Sequence, residues 1–132
     1  GVIVIAAGGG GPPVYRHPAL GLEGLDGVVD KDRAAAILAR EMEAEVFLIL
    51  TDVNAVYRDF GTAEAAPLRR LSLEEADALI ASGALDEGGM RPKVEAAAAF
   101  VRSGKGRAII AHLTDGSAAL RGETGTTITR TT

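Results

Sequence analysis

Three short apolar runs, set apart by stretches of helical character, decide what this chain can fold into. Val2-Ile3-Val4-Ile5-Ala6-Ala7, Val46-Phe47-Leu48-Ile49-Leu50 and Arg107-Ala108-Ile109-Ile110-Ala111 show no polar alternation. Each predicts a strand buried on both faces, as in a parallel sheet. Asp32 to Glu43 is rich in Ala and places Ala36, Ile37, Ala39 and Arg40 at helical spacing, which predicts a helix. Ser72-Leu73-Glu74-Glu75 reads as a capping box, in which the Ser hydroxyl and the Glu carboxylate each take an otherwise orphaned backbone N–H. The helix it opens runs to about Ser82, and Gly83 supplies a left-handed stop. Pro92 suits the first turn of another helix, with Val94, Ala97, Ala98 and Val101 on one face and its end at Gly104.

Between these lie less regular pieces. The glycines and Pro18 of Val14 to Val29 predict a loose hairpin or surface loop. Thr51 to Ala66 reads as a long loop with a short strand around Ala55-Val56-Tyr57. Asp115 to Leu120 predicts a short helix and Thr126 to Thr129 a last strand. This order predicts a single α/β domain over residues 1–132: a three-layer α-β-α arrangement around a mostly parallel sheet, joined by right-handed crossovers. The chain also opens on Gly1 and enters an apolar run at once, without an initiator Met or a signal-peptide layout. That predicts a piece of a longer protein, with sequence missing upstream.

Composition narrows the function classes. With 14 Lys and Arg against 18 Asp and Glu, the net charge of −4 disfavours a nucleic-acid binder, which needs clustered cations. The absence of Cys excludes a disulfide scaffold, thiolate catalysis and Cys-ligated zinc, and fits a reducing cytoplasm. The longest apolar runs are six residues, too short to span a bilayer. His17 and His112 have no carboxylate or imidazole partner at metal-ligand spacing, so no protein-built metal site is predicted.

In an open parallel sheet, ligands bind beyond the carboxyl ends of the strands. Gly8 to Gly11, directly after the first apolar run, can serve as a backbone anion cradle or as a flexible turn. It is neither G-x-G-x-x-G nor a Walker A loop. Lys31 stands between Asp30 and Asp32 at a helix start, where the dipole disfavours a cation; local sequence favours an Asp cap with Lys31 in solvent. Thr51 and Asp52 follow the second run as turn formers or as nucleotide contacts, and Tyr57 either stacks on a base or covers the core. Lys93, after Gly88-Gly89-Met90-Arg91-Pro92, is either a surface lysine or a cation for a transferring phosphoryl group.

Taken in order, GGGGPPV, VDKDRAAAIL, VFLILTDVNAVY, EGGMRPKVEAAAAFV, RAIIAHL and GTTIT resemble the carboxyl-terminal part of carbamate kinase, in the amino-acid kinase superfamily, over nearly the whole chain. The resemblance implies reversible, ATP-dependent phosphoryl transfer to carbamate, giving ADP and carbamoyl phosphate, in the cytoplasmic metabolism of arginine. It implies that Lys31 and Lys93 hold the phosphoryl group and that Asp32 orients them. Thr51, Asp52, Val53 and Tyr57 would line the adenine and ribose pocket, with Met90 and Pro92 close by, and Gly9, Gly10 and Gly11 would cradle the acceptor side. Mg²⁺ would arrive with ATP or ADP. The chain departs from the family's pattern in three ways: it lacks the amino-terminal half, which carries another glycine-rich loop and much of a homodimer surface; Arg91 stands where a small residue is usual; and the segment around His112 differs. Two other readings accompany this one: a noncatalytic nucleotide-binding piece, and a superfamily kinase with a different carboxylate or phosphate acceptor.

Overall fold

The computed structural model describes residues 1–6, 8, 11–86, 89–104 and 106–131. In chain order the elements are β1 (Val14–His17), β2 (Gly21–Gly24), α1 (Lys31–Glu41), β3 (Val46–Thr51), β4 (Val56–Arg58), β5 (Ala66–Leu68), β6 (Arg70–Ser72), α2 (Leu73–Ala81), α3 (Met90–Ser103), β7 (Arg107–His112), α4 (Gly116–Leu120) and β8 (Thr126–Thr129). A four-stranded sheet in the order β3-β7-β8-β6 forms the centre, with β1-β2 and β4-β5 as separate antiparallel hairpins. Two of its three pairings are parallel: β3 with β7, from Val46 opposite Arg107 to Thr51 opposite His112, and β6 with β8.

Local chemistry sets the helix ends. The Asp30 carboxylate accepts the Arg33 N–H at 2.9 Å and caps α1. Glu75 donates its N–H to Ser72 Oγ at 3.1 Å while its carboxylate accepts the Ser72 N–H at 2.7 Å, so the capping box of α2 is complete. Gly83 follows with φ of 71°, in the left-handed region. α3 buries Val94, Ala97, Ala98 and Val101 as its spacing predicts, and adds Ala96 and Phe100. The Phe100 ring lies 5.4 Å from that of Phe47 on β3, centroid to centroid. α1, α2 and α3 therefore cover one face of the sheet, and α4 covers part of the other through Ala119 against Ile109 and Ala111. The three-layer α/β arrangement is as the element order predicts. Among the described residues, no helix is long and apolar enough to cross a membrane.

Two details of the sheet differ from the sequence reading. Residues 2–6 lie outside any strand, and Val2, Ile3, Val4 and Ile5 are exposed; Ala7 falls outside the described residues. A β-branched run supplies preference but no hydrogen bonds of its own, and a strand needs a neighbouring ladder. β3 ends the sheet, and among the described residues nothing pairs with its outer edge. The second difference is that β8 runs antiparallel to β7. Gly122 and Gly125, with φ of 80° and 83°, turn the chain beside α4 and return it with Thr126 opposite Ile110. The chain thus re-enters at the end of the sheet it has just left, and no crossover to the far end takes place. The short strands β5, paired with β4, and β6, paired with β8, carry no sequence signature of their own; β4 lies one residue beyond its expected position.

Gly125 carries a tight contact as well as its positive φ. A Cβ there would lie 2.8 Å from the Ile110 carbonyl oxygen, whereas one at Gly122 would meet nothing within 4 Å. Gly122→Ala should therefore cost about 1 kcal/mol from backbone conformation alone, and Gly125→Ala roughly 3 kcal/mol from conformation plus overlap. Urea unfolding of the two variants checks this; equal losses would contradict it.

Candidate functional site

The site is built around one buried carboxylate. Asp32 sits in the first turn of α1, with its side chain 11% exposed. An ion left unpaired at that depth is costly. Two ammonium groups meet it on the same oxygen: Lys93 Nζ at 3.3 Å and Lys31 Nζ at 3.4 Å from Asp32 Oδ2. Lys93 comes from the first turn of α3, 61 residues further along the chain, and also donates to the Gly89 carbonyl at 3.5 Å. The two lysines differ in setting: Lys93 is 13% exposed, while Lys31 is 62% exposed and reaches Asp32 from the surface. The side chains of Lys31 and Lys93 therefore converge, although the local sequence around Lys31 favours a solvated cation.

A second tie holds the same two helix starts together. Glu95, two residues beyond Lys93, accepts from Arg33 Nη2 of α1 at 3.1 Å and from Arg91 Nε at 3.0 Å. These bonds, from Arg91 first and Arg33 second, hold its carboxyl below the usual carboxylate range. Asp32–Lys93 and Glu95–Arg33 thus form two adjacent crosslinks between α1 and α3. The Arg91 side chain lies on α3 against Glu95, and Arg91 does not line the neighbouring cavity.

That cavity, of about 510 Å³, opens beyond the carboxyl end of β3. Thr51, Asp52, Val53, Tyr57, Met90 and Lys93 line it, six of the positions singled out in the sequence. Thr51 Oγ1 donates to the Asp52 carboxylate at 3.0 Å. The Tyr57 ring lies 5.8 Å from that of Phe60, which also lines the cavity, so part of the wall is aromatic. The residues that sequence reasoning missed come from the approach to α3. Leu85 is buried in the wall, and Asp86 caps the helix through Oδ1 to the Met90 N–H at 3.1 Å. A Cβ on Gly89 would run into the Asp86 carboxylate and push it from its place at the Met90 N–H. The acid-then-glycine order at Asp86 to Gly89 is the signal that could have found this cap.

Other positions fall elsewhere. Pro92 occupies the first turn of α3 but does not line the cavity. Gly9 and Gly10 lie outside the described residues, and Gly11 is exposed, with nothing within 4 Å of the place a Cβ would take. His112 Nδ1 pairs with Thr114 Oγ1 at 2.9 Å at the end of β7. Among the described residues, no three His, Cys, Asp or Glu side chains are grouped so as to hold a metal ion. A divalent cation here would need the oxygens of a bound phosphate ester to complete its shell.

Two consequences can be measured. Asp32→Ala strands Lys93 without its buried partner and should cost about 2 kcal/mol in urea unfolding, whereas the double change Asp32→Ala with Lys93→Met, which removes both charges, should recover most of that loss. Equal destabilisation by the single and double changes would show that the pair is not the source. Glu95 gives a pH dependence of known sign. Its folded pKa lies below its unfolded value of about 4.3, so its stabilisation is complete above that value and disappears as pH falls through the folded value. Glu95→Gln should therefore lose stability at neutral pH and show a shallower decline under acid; profiles that run parallel to wild type would refute the assignment.

Comparison with known proteins identifies the family and the fold. The family model described as the amino acid kinase family matches residues 1–112. The chain is 50% identical over 125 residues to a carbamate kinase of Halobacterium salinarum, covering 95% of this chain and 40% of that protein. It is 45% identical over 128 residues to a carbamate kinase of Thermoplasma volcanium, covering 97% of this chain and 42% of that protein. Among solved structures, carbamate kinase from Giardia lamblia bound to AMP-PNP superposes with a TM-score of 0.84 at 33% identity, over 89% of this chain and 41% of that one. The chain thus spans about two-fifths of the length of these relatives.

Proposed function

The chain belongs to the amino acid kinase family, and on that footing we propose that it is the nucleotide-binding part of an enzyme that transfers a phosphoryl group between ATP and carbamate. The observation that carries this reading is the meeting of Lys31 and Lys93 on Asp32, with Lys93 also lining a cavity that holds the Tyr57 and Phe60 rings. The lining combines two aromatic rings with the Lys93 ammonium, a pairing that suits a base and a phosphate chain in one occupant. The AMP-PNP complex of the Giardia relative supports the same occupant.

In this reading the purine rests against Tyr57, Phe60 and Met90, while Thr51 and Asp52 at the end of β3 face the ribose. Lys93 and Lys31 point at the terminal phosphate. A carbamate oxygen attacks the γ-phosphorus, the bond from that phosphorus to the β–γ bridging oxygen breaks, and ADP leaves with the electron pair; the reverse step returns the phosphoryl group from carbamoyl phosphate to ADP. No side-chain nucleophile is needed. Charge spreads over the phosphoryl oxygens during transfer, and fixed ammonium groups stabilise it without reorganising. Asp32 acts as a positioning residue: it keeps both lysines in place before substrate arrives and holds them close despite their repulsion. Mg²⁺ bound with the nucleotide would share the neutralisation of the phosphates. Gly9, Gly10 and Gly11 are proposed for the acceptor side, a cytoplasmic setting and a role in arginine metabolism follow the same reading, and a homodimer is proposed for the longer protein.

The coverage of the relatives favours a second reading as well: this stretch binds nucleotide but does not turn over by itself, with the acceptor side supplied by further sequence. One experiment serves both. Isothermal titration should show a non-hydrolysable ATP analogue binding to the chain, weakened about tenfold by Lys93→Ala, the loss of one charge-assisted phosphate contact. ATP formation from ADP, Mg²⁺ and carbamoyl phosphate, abolished in Lys93→Ala, identifies a complete catalytic unit; binding without ATP formation identifies the nucleotide-binding part. Absence of nucleotide binding would overturn both.

A further inference from the structure

On the face of the sheet that carries α4, away from the Asp32 site, a second cavity of about 540 Å³ gathers, among the described residues, four basic side chains, Arg69, Arg70, Arg107 and Arg121, against a single acid, Glu123. The strand register brings them together. Arg70 stands opposite Thr127, and Thr127 opposite Ile109, so all three share one face of the sheet. Arg107, two residues before Ile109 on the same strand, points to that face too. Glu123 answers only Arg121, through a two-pronged pair at 2.7 and 2.9 Å. Arg107 spends one N–H on the Leu120 carbonyl at 3.1 Å and keeps its charge. The side chains of Arg69 and Arg70 make no hydrogen bond or ion pair among the described residues.

Three guanidinium charges therefore stand unanswered around one concavity in a chain of net charge −4. Gathering like charges raises the electrostatic energy of the fold, and a bound anion relieves it. The planar fork of arginine matches the oxygens of a phosphate, and the Thr127 hydroxyl adds a neutral donor at the centre. Among the described residues, none lines both this cavity and the Lys93 cavity, so the two are separate. We propose that this arginine cavity is a second anion site, one that takes a phosphate group, either as inorganic phosphate or as a small phosphomonoester.

Amide NMR of the chain titrated with sodium phosphate, and separately with glycerol phosphate, tests it, with sodium chloride at matched ionic strength as reference. Saturable shifts at Gly122, Gly125 and Thr127 are expected. Arg70→Gln combined with Arg107→Gln should weaken them about tenfold or more while leaving shifts near Lys93 intact, and Lys93→Ala should do the opposite. Both arginines are exposed, so the double change spares the core, and an unaltered amide spectrum before titration verifies that. Tighter binding of glycerol phosphate identifies an ester as the ligand; equal or weaker binding identifies free phosphate. Shifts confined to the Lys93 region, shifts reproduced by chloride, or a double variant that titrates like wild type would each overturn the proposal.

Discussion

The carboxylate of Asp32 has to be neutralised where it lies, and that requirement organises the functional end of the molecule. It is buried at the start of α1, so the fold must bring a cation to it, and Lys93 arrives from the start of α3. The consequence runs both ways. A carboxylate that needs a cation fixes an ammonium group at the mouth of the sheet, and a second ammonium, Lys31, shares the same oxygen from the solvent side. One acid thus fixes two ammonium groups in place before any phosphate binds. Preorganised charge of this kind is what phosphoryl transfer uses, because the reaction spreads negative charge and asks for little covalent help.

The rest of the fold serves that placement. Phe47 and Phe100 seat α3 on the sheet, and the Glu95–Arg33 bond closes the same two helices next to the Asp32–Lys93 bond. β3 delivers Thr51 and Asp52 to the cavity because its parallel partner β7 sets where it ends. The Asp86 cap fixes the first turn of α3 and with it the origin of the Lys93 side chain. Stability and site geometry share residues here, so removing a charge at the site is felt in both.

Much of this was legible in the residues, for reasons that differ by element. The capping box at Ser72 and Glu75, the stop at Gly83 and the apolar face of α3 rest on contacts within one turn, and local sequence encodes such contacts fully. The run Val2 to Ala7 has as strong a strand signature as β3, yet residues 2–6 form no strand, because pairing depends on a neighbour that no local pattern specifies. The reversal of β8 was hidden in the same way: Gly122 and Gly125 mark turns, but only the packing of α4 determines where the chain re-enters. The convergence of Lys31 and Lys93 spans more than sixty residues, and resemblance to carbamate kinase, not periodicity, brought those two together in advance. Leu85, Asp86 and Phe60 went unnoticed because loop residues that line a cavity leave no periodic trace.

The central claim is that the two ammonium groups act as one grip on a terminal phosphate. Lysine-selective NMR of the side-chain ammonium groups reads this directly, since the chain has three lysines. On addition of a non-hydrolysable ATP analogue with Mg²⁺, the Lys31 and Lys93 signals should move together along one saturation curve, and AMP should leave both in place. A response from only one of them, or the same response to AMP, would contradict the account.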